Sequence, residues 1–252
     1  MPAAPLTLDE AVASAATGDV WLFRGRSLAD VAIRTVTNAP VNHVGMAVAL
    51  DDLPPLLWHA ELGRSLPDVW SGKRQRGVQL HLLADAVRTW HDRYGQRAWV
   101  RQLEGPLTRE HEDRLLEIIQ RLDGRPFPTT PGLLRRWAGG RVRRRAQPSL
   151  ETMYCAELVA QTYQHMGLLP ADRPPSWYDP GRFWSGDGLQ LTPPFRLGGE
   201  IPVEVGDAPE RLLTSLLTPV ARRWESRRAG APMHTDRRRR RRWPFSRRTS
   251  AA

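Results

Sequence analysis

Two residues that lie far apart in the chain, Cys155 and His43, are of the types needed for nucleophilic catalysis by a thiol. A catalytic cysteine requires a base that removes its proton and a third group that orients the base. Cys155 is the only cysteine among the 252 residues. Apolar residues recur at helical spacing between Leu158 and Met166. They predict an amphipathic helix over about 151–167, with Cys155 in its first turn.

A position in the first turn of a helix favours a reactive thiolate. The unpaired N–H groups and the positive end of the helix dipole lower the pKa of a thiol there. The same N–H groups can stabilise a developing oxyanion. The alternative is that Cys155 is a small buried hydrophobic residue, which is the more frequent role of an isolated cysteine. The sequence alone leaves both interpretations open.

The candidate base lies on a strand predicted over 41–50. The strand alternates between a face of small side chains that includes His43 and a strongly apolar face. The small face leaves room for another element to pack closely, such as the start of the cysteine helix, although His43 could equally be a hydrogen-bonded core histidine. A turn and a third strand over 56–62 predict a hairpin that brings His59 or Glu61 beside His43.

Either His59 or Glu61 could orient the base, because both face the same way on the third strand; either could also face solvent on an edge strand. No metal site and no cofactor is predicted. The remaining histidines are interpreted as surface residues without a matching partner: His81, His91, His111, His165 and His234.

The other predicted elements describe an α+β domain with an antiparallel sheet. Further strands are predicted over 18–25, 78–82 and 97–103, with one or two closing strands in 189–205. Helices are predicted over 8–16, 27–34, 83–91 and 108–122.

The net charge of +10 is concentrated in arginine-rich segments. Residues 207–252 contain 13 arginines and four acidic residues. The pattern predicts a folded domain over 1–206 with a mobile basic insert at about 125–148. An amphipathic helix over 207–229 and a disordered arginine-rich tail over 230–252 follow.

The basic end of the chain has two interpretations. It is either a solvated segment without a partner, or a segment that docks 207–252 onto an anionic membrane surface. Trp243 and Phe245 within the basic run favour a membrane over nucleic acid. The single cysteine, the lack of a signal peptide and the lack of a long apolar segment predict a cytoplasmic protein, with peripheral membrane attachment as an alternative.

The order of these motifs over about 17–185 resembles the permuted papain-like amidases, the circularly permuted branch of the NlpC/P60 superfamily that is related to lecithin:retinol acyltransferase. In that branch the histidine and the polar residue precede the cysteine. The motifs that carry the resemblance are Gly18-Asp19-Val20, Asn42-His43-Val44-Gly45-Met46, Leu57-Trp58-His59-Ala60-Glu61, Tyr154-Cys155-Ala156-Glu157-Leu158-Val159 and Pro180-Gly181-Arg182-Phe183.

The resemblance implies a circularly permuted papain-like fold in which the nucleophile helix packs on an antiparallel sheet. It implies Cys155 as nucleophile, His43 as general base, His59 as the third member with Glu61 as the substitute, and Tyr154 as a support of the oxyanion site. Met153 and Ala156 depart from the small or hydroxyl residues that are frequent in the family.

The implied function is that of a cysteine-dependent amidase, peptidase (thiol protease) or acyltransferase. Its substrate would be a peptide or lipid with an amide, ester or thioester bond, and an acyl-enzyme would form on the thiol. The alternative is a noncatalytic binding protein of the same fold, docked to an anionic membrane or to nucleic acid by its arginine-rich tail. The two hypotheses differ in whether the thiol of Cys155 lies close to the imidazole of His43.

Overall fold

The computed structural model describes residues 3–25, 39–50, 53–61, 63–126 and 150–206. The strands are β1 (Leu6–Thr7), β2 (Val20–Arg24), β3 (His43–Leu50), β4 (Leu53–Glu61), β5 (Gly77–Leu82), β6 (Arg97–Arg101), β7 (Leu103–Glu104), β8 (Arg196–Leu197) and β9 (Ile201–Glu204). The helices are α1 (Leu8–Ala13), α2 (Leu83–Tyr94), α3 (Arg109–Leu122) and α4 (Leu150–Met166), and short 3₁₀ turns lie at Pro175–Trp177, Pro180–Phe183 and Ser185–Asp187.

Seven strands form one sheet in the order β1-β9-β6-β2-β3-β4-β5. The pair β1–β9 is parallel and the other neighbours are antiparallel. Strands β7 and β8 form a separate two-stranded ladder. The fold is therefore mixed α+β with a mostly antiparallel sheet, and the prediction is confirmed at that level.

The predicted hairpin is confirmed as β3 and β4. Met46 lies opposite Trp58, and the register shifts between Val48 and Leu50, next to the turn. Because successive side chains of a strand point to opposite faces, this register separates the residues of each strand into two sets. The set that includes Val44, Met46 and Trp58 lies on one face of the sheet.

Each face of the sheet is covered by its own pair of helices. The face with Val44, Met46 and Trp58, which we call the α4 face, packs against α3 and α4. The opposite face, which we call the α2 face, carries Trp21 and Leu57 and packs against α1 and α2. Residue-level contacts fix this arrangement, since Trp58 Nε1 donates a hydrogen bond to Thr162 Oγ1 of α4 at 3.0 Å.

Local sequence signals explain where the helices begin and end. Thr7 and Thr108 cap α1 and α3 in capping boxes, as Ser and Thr do when a reciprocal partner lies three residues on. Gly95 ends α2 with a φ of 59°, a conformation that glycine adopts without steric cost. Helix α4 was predicted as amphipathic, but residues 155–160 are all buried, so α4 is a core helix covered on most sides.

Several sequence predictions fall outside the described residues. These are the helix over 27–34, nearly all of the basic insert, the amphipathic helix over 207–229 and the arginine-rich tail. Among the residues that the structure describes, the helices are too short or too polar to traverse a bilayer.

Candidate functional site

A group of polar side chains is buried on the α2 face, where strands β4 and β5 lie side by side. His59 and Glu61 are two residues apart on β4, and Gln79 and His81 are two residues apart on β5, so each pair points to one face. His59 lies opposite Gln79 in the register. His59 and His81 are 0% exposed and Glu61 is 5% exposed. Polar side chains that are buried to this extent normally have hydrogen-bond partners.

The three titratable groups of this patch have the types and the proximity of metal ligands. Nε2 of His59 lies 3.1 Å from Nδ1 of His81. One potential ligand atom from each of His59, Glu61 and His81 lies within 4.8 Å of the other two. Two nitrogen ligands of one tetrahedral zinc ion are roughly 3.3 Å apart, given metal–nitrogen bonds of about 2.0–2.1 Å. The two nitrogens, which are joined by a hydrogen bond, are therefore close to the separation found when two imidazoles share an ion.

A chain of hydrogen bonds orients the carboxylate of Glu61. Ser65 Oγ donates to Glu61 Oε2 at 3.1 Å, and Gln79 Nε2 donates to the same oxygen at 3.4 Å. Trp90 Nε1 of α2 donates to Ser65 Oγ at 3.1 Å. Outer hydrogen bonds of this kind hold ligating carboxylates in place around metal ions. The network ties Glu61 to helix α2.

His43 lies beside this group and completes an aromatic enclosure. Its ring centre is 5.4 Å from that of His59 and 5.2 Å from that of Trp90. Phe23 packs against its other side with ring centres 5.7 Å apart. Within the described part of the chain, neither ring nitrogen of His43 has a hydrogen-bond partner, although the residue is only 5% exposed.

Burial keeps all three histidines neutral at physiological pH. It lowers the pKa of His43 to about 3 and that of His81 to about 4, the latter despite the opposing charge of Asp68. Burial, with smaller contributions from His81 and His43, also lowers the pKa of His59. Burial raises the pKa of Glu61, and its bonds to Ser65 oppose the shift. Neutral imidazole is the form that binds a metal ion.

Glycine at position 45 of β3 is required for this packing. A Cβ atom added there would overlap the side chain of Leu57 and lie 3.2 Å from Cβ of His59. Glycine at this position allows the side chains of Leu57 and His59 on β4 to pack over the backbone of β3. The face of small residues noted in the sequence is therefore filled by β4 and α2, not by the cysteine helix.

The structure places Cys155 on the other side of the sheet from the predicted base. Cys155 is 0% exposed and belongs to the apolar core of the α4 face, with Val44 and Met46. His43 precedes Val44 on β3 and packs on Phe23 and Trp90, which belong to the α2 face. The predicted contact between Cys155 and His43 is therefore wrong for this structure, because α4 packs against the apolar residues of the strand.

Two further parts of the cysteine prediction differ from the structure. Cys155 is the sixth residue of α4 as described, so it lies in the second turn, beyond the first four N–H groups that a helix leaves free. Tyr154, predicted to support an oxyanion, is half-buried and packs against the apolar core of the α4 face. The structure brings together His43, His59 and Glu61 but not Cys155.

His81 is a site residue that the sequence interpretation missed. The sequence predicts it to be a surface residue and predicts no metal ligand set. The strand over 78–82 was predicted, however, and its alternation places Gln79 and His81 on one face. Pairing of that strand with the one that carries His59 and Glu61 would have revealed the cluster.

Comparisons with known proteins give little further information on this chain. No protein-family model matches it, and no curated protein matches it. Among solved structures, the crystal structure of the metalloprotein YiiX from Escherichia coli O157:H7 is similar with a TM-score of 0.40 and 24% sequence identity. The similarity covers 60% of this chain and 66% of that protein, and it is too weak to indicate a fold family or a function.

Proposed function

We propose that this chain is a metal-binding protein that holds one divalent transition-metal ion with His59, Glu61 and His81 as ligands. The observation that carries the proposal is the convergence of two neutral imidazoles and one carboxylate in a buried patch, with ligand atoms within 4.8 Å of one another. Imidazole together with carboxylate suits zinc, iron and related metals, whereas magnesium and calcium prefer oxygen ligands alone.

The electrostatics of the patch favour an ion over a purely structural cluster. A carboxylate buried without a cation is costly, and the described contacts of Glu61 come from the neutral groups of Ser65 and Gln79. A divalent ion would supply the compensating charge. It would also take the place of the single hydrogen bond that now joins His59 to His81.

The site is buried, which favours a stably bound metal ion over a catalytic site for a large substrate. Trp90 covers the site from α2. The segment 63–76 covers β5, since Val69 N donates to Leu80 O at 2.8 Å and Leu80 N donates to Asp68 Oδ2 at 3.0 Å. We therefore propose that the ion has a structural role and links β4, β5 and α2.

The test is a titration of the chelator-treated full-length protein with Zn²⁺. We expect one ion per chain, and we expect His81→Gln and Glu61→Gln each to weaken binding by roughly 100-fold or more, because each removes a ligand. His91→Gln is the matched control, since His91 is an exposed histidine on α2. Failure of the wild type to bind zinc, or equal binding by all four proteins, would overturn the proposal.

The cysteine-dependent hydrolase or acyltransferase and the permuted papain-like fold stay predictions. What supports them is the order of the histidine, polar and cysteine motifs in the sequence. The burial of Cys155 in the apolar core of the α4 face gives them no further support. Docking of 207–252 to an anionic membrane also stays a prediction, because that segment lies outside the described residues.

Thiol labelling tests the cysteine hypothesis directly. Because Cys155 is 0% exposed, we expect a small aromatic disulfide reagent to label the native protein ~100-fold or more slowly than the protein in 6 M guanidinium (roughly, since access requires local opening). Cys155→Ala provides the blank, since the chain has no other cysteine. Rapid stoichiometric labelling of the native protein would contradict this expectation and favour a reactive thiolate.

A further inference from the structure

Several buried polar atoms of the α2 face lack a hydrogen-bond partner, and among the described residues His43 is the one with both ring nitrogens unpartnered. A buried side chain with unpartnered nitrogens loses the hydrogen bonds that water provides in the unfolded chain, so its burial is unfavourable. In native structures, such a group calls for an explanation such as an ion. Packing alone does not provide one, since Phe23, Trp90 and His59 contact His43 through their rings.

The ring separations match those of imidazoles that share one ion. With metal–nitrogen bonds of about 2.0–2.1 Å and tetrahedral angles, the centres of two bound imidazole rings are roughly 5.2 Å apart. The ring centres of His59 and His81 are 4.9 Å apart, and those of His43 and His59 are 5.4 Å apart. His59 is thus the common neighbour of His43 and His81, and both ring-centre separations are close to this value.

We propose that His43 is the fourth protein ligand of the metal site, which then consists of three imidazoles and the Glu61 carboxylate. The assignment rests on the proposed metal-binding function and extends it to the identity and role of the ion. Four protein ligands satisfy a tetrahedral ion and leave no open position for a substrate or water, as in structural zinc sites. The His43 side chain must turn one nitrogen toward the ion.

Coordination by His43 would give the ion a specific structural consequence. His43 is the first residue of β3, His59 and Glu61 are near the end of β4, and His81 is near the end of β5. The ion would then cross-link the adjacent strands β3, β4 and β5.

The experiment is X-ray absorption at the zinc edge on the zinc-loaded full-length protein, with the number of bound imidazoles as the readout. We expect three in the wild type and two in His43→Phe, which keeps an aromatic ring in the enclosure. We also expect His43→Phe to bind one ion per chain but ~10- to 100-fold more weakly (roughly, for loss of one of four ligands). His91→Phe is the control and should retain wild-type coordination and affinity.

The outcomes separate the two proposals. Two imidazoles in the wild type, or unchanged affinity in His43→Phe, would overturn the role of His43 and leave the three-residue site intact. If the wild type binds no zinc, the metal-binding function itself fails. Should His43→Phe not fold, the imidazole count of the wild type decides the matter on its own.

Discussion

Acidification of the metal-free protein from pH 7 to pH 4 will lower its free energy of unfolding by several kcal/mol. Burial lowers the pKa of His43 to about 3 and that of His81 to about 4, whereas histidine in an unfolded chain titrates near 6.5. Below pH 6.5 the unfolded chain therefore binds protons that the folded protein does not. Stability is complete above pH 6.5 and declines toward the folded pKa values, by at most about 1.4 kcal/mol per pH unit for each histidine.

Other groups around the cluster oppose part of this loss. The raised pKa of Glu61 has the opposite sign, because the folded protein takes up that proton before the unfolded chain does. The Asp68 carboxylate favours protonation of His81, and Arg74 disfavours it. Since folded proteins have about 5–15 kcal/mol of stability in total, we expect unfolding near pH 4 even after this offset.

Circular dichroism as a function of pH, in the presence of a chelator, will measure the effect. We expect the double variant His43→Gln and His81→Gln to unfold at lower pH than the wild type, because two acid-sensitive groups are removed. His91→Gln, an exposed control, should unfold at the wild-type pH. Identical acid transitions in all three proteins would show that the buried histidines do not determine acid stability.

Replacement of Gly77 by alanine will destabilise the protein by about 3 kcal/mol or more. Gly77 begins β5 with a φ of 116°, a conformation that L side chains rarely adopt. An added Cβ would also overlap the carbonyl oxygen of Arg125 and lie 3.0 Å from Cα of Pro126. Val78 N donates to that same carbonyl at 2.9 Å. If the backbone at Arg125 moves to make room for the Cβ atom, this hydrogen bond to the edge strand β5 is also lost.

Gly72 provides the control for this prediction. It has a φ of 65°, but an added Cβ would meet nothing within 4 Å. Gly72→Ala should therefore cost only about 1 kcal/mol, the strain of a left-handed residue. Guanidinium denaturation will give both values. Equal small losses in the two variants would mean that the contact between β5 and Arg125 does not constrain the sheet.

The strands of the fold were within reach of sequence analysis, but the packing of helices on them was not. Alternation along 41–50 predicted two faces and correctly grouped Val44 with Met46. It did not predict which helix covers which face, because that depends on contacts between distant residues. Trp58 bonds to Thr162, 104 positions later in the chain, and this contact places α4 on the face opposite His43.

The candidate site was also predictable only in part, because it too depends on contacts between residues that are distant in the chain. The hairpin placed His59 and Glu61 near His43, and the structure brings the three together on the α2 face. His81 was missed because the pairing of its strand with the strand of His59 and Glu61 was not considered. Cys155 was misplaced because the face of small residues around His43 indicated room for the start of the cysteine helix, whereas Trp90 of α2 packs there.

The immediate succession of Trp58 and His59 on β4 makes this strand intolerant of insertions and deletions. Moving it by one residue would exchange the two side chains between faces. An indole would then occupy the position of an imidazole, and the imidazole would enter the apolar layer beneath α4. Length variation among relatives of this protein should therefore fall in the turns that flank β4, never within the strand itself.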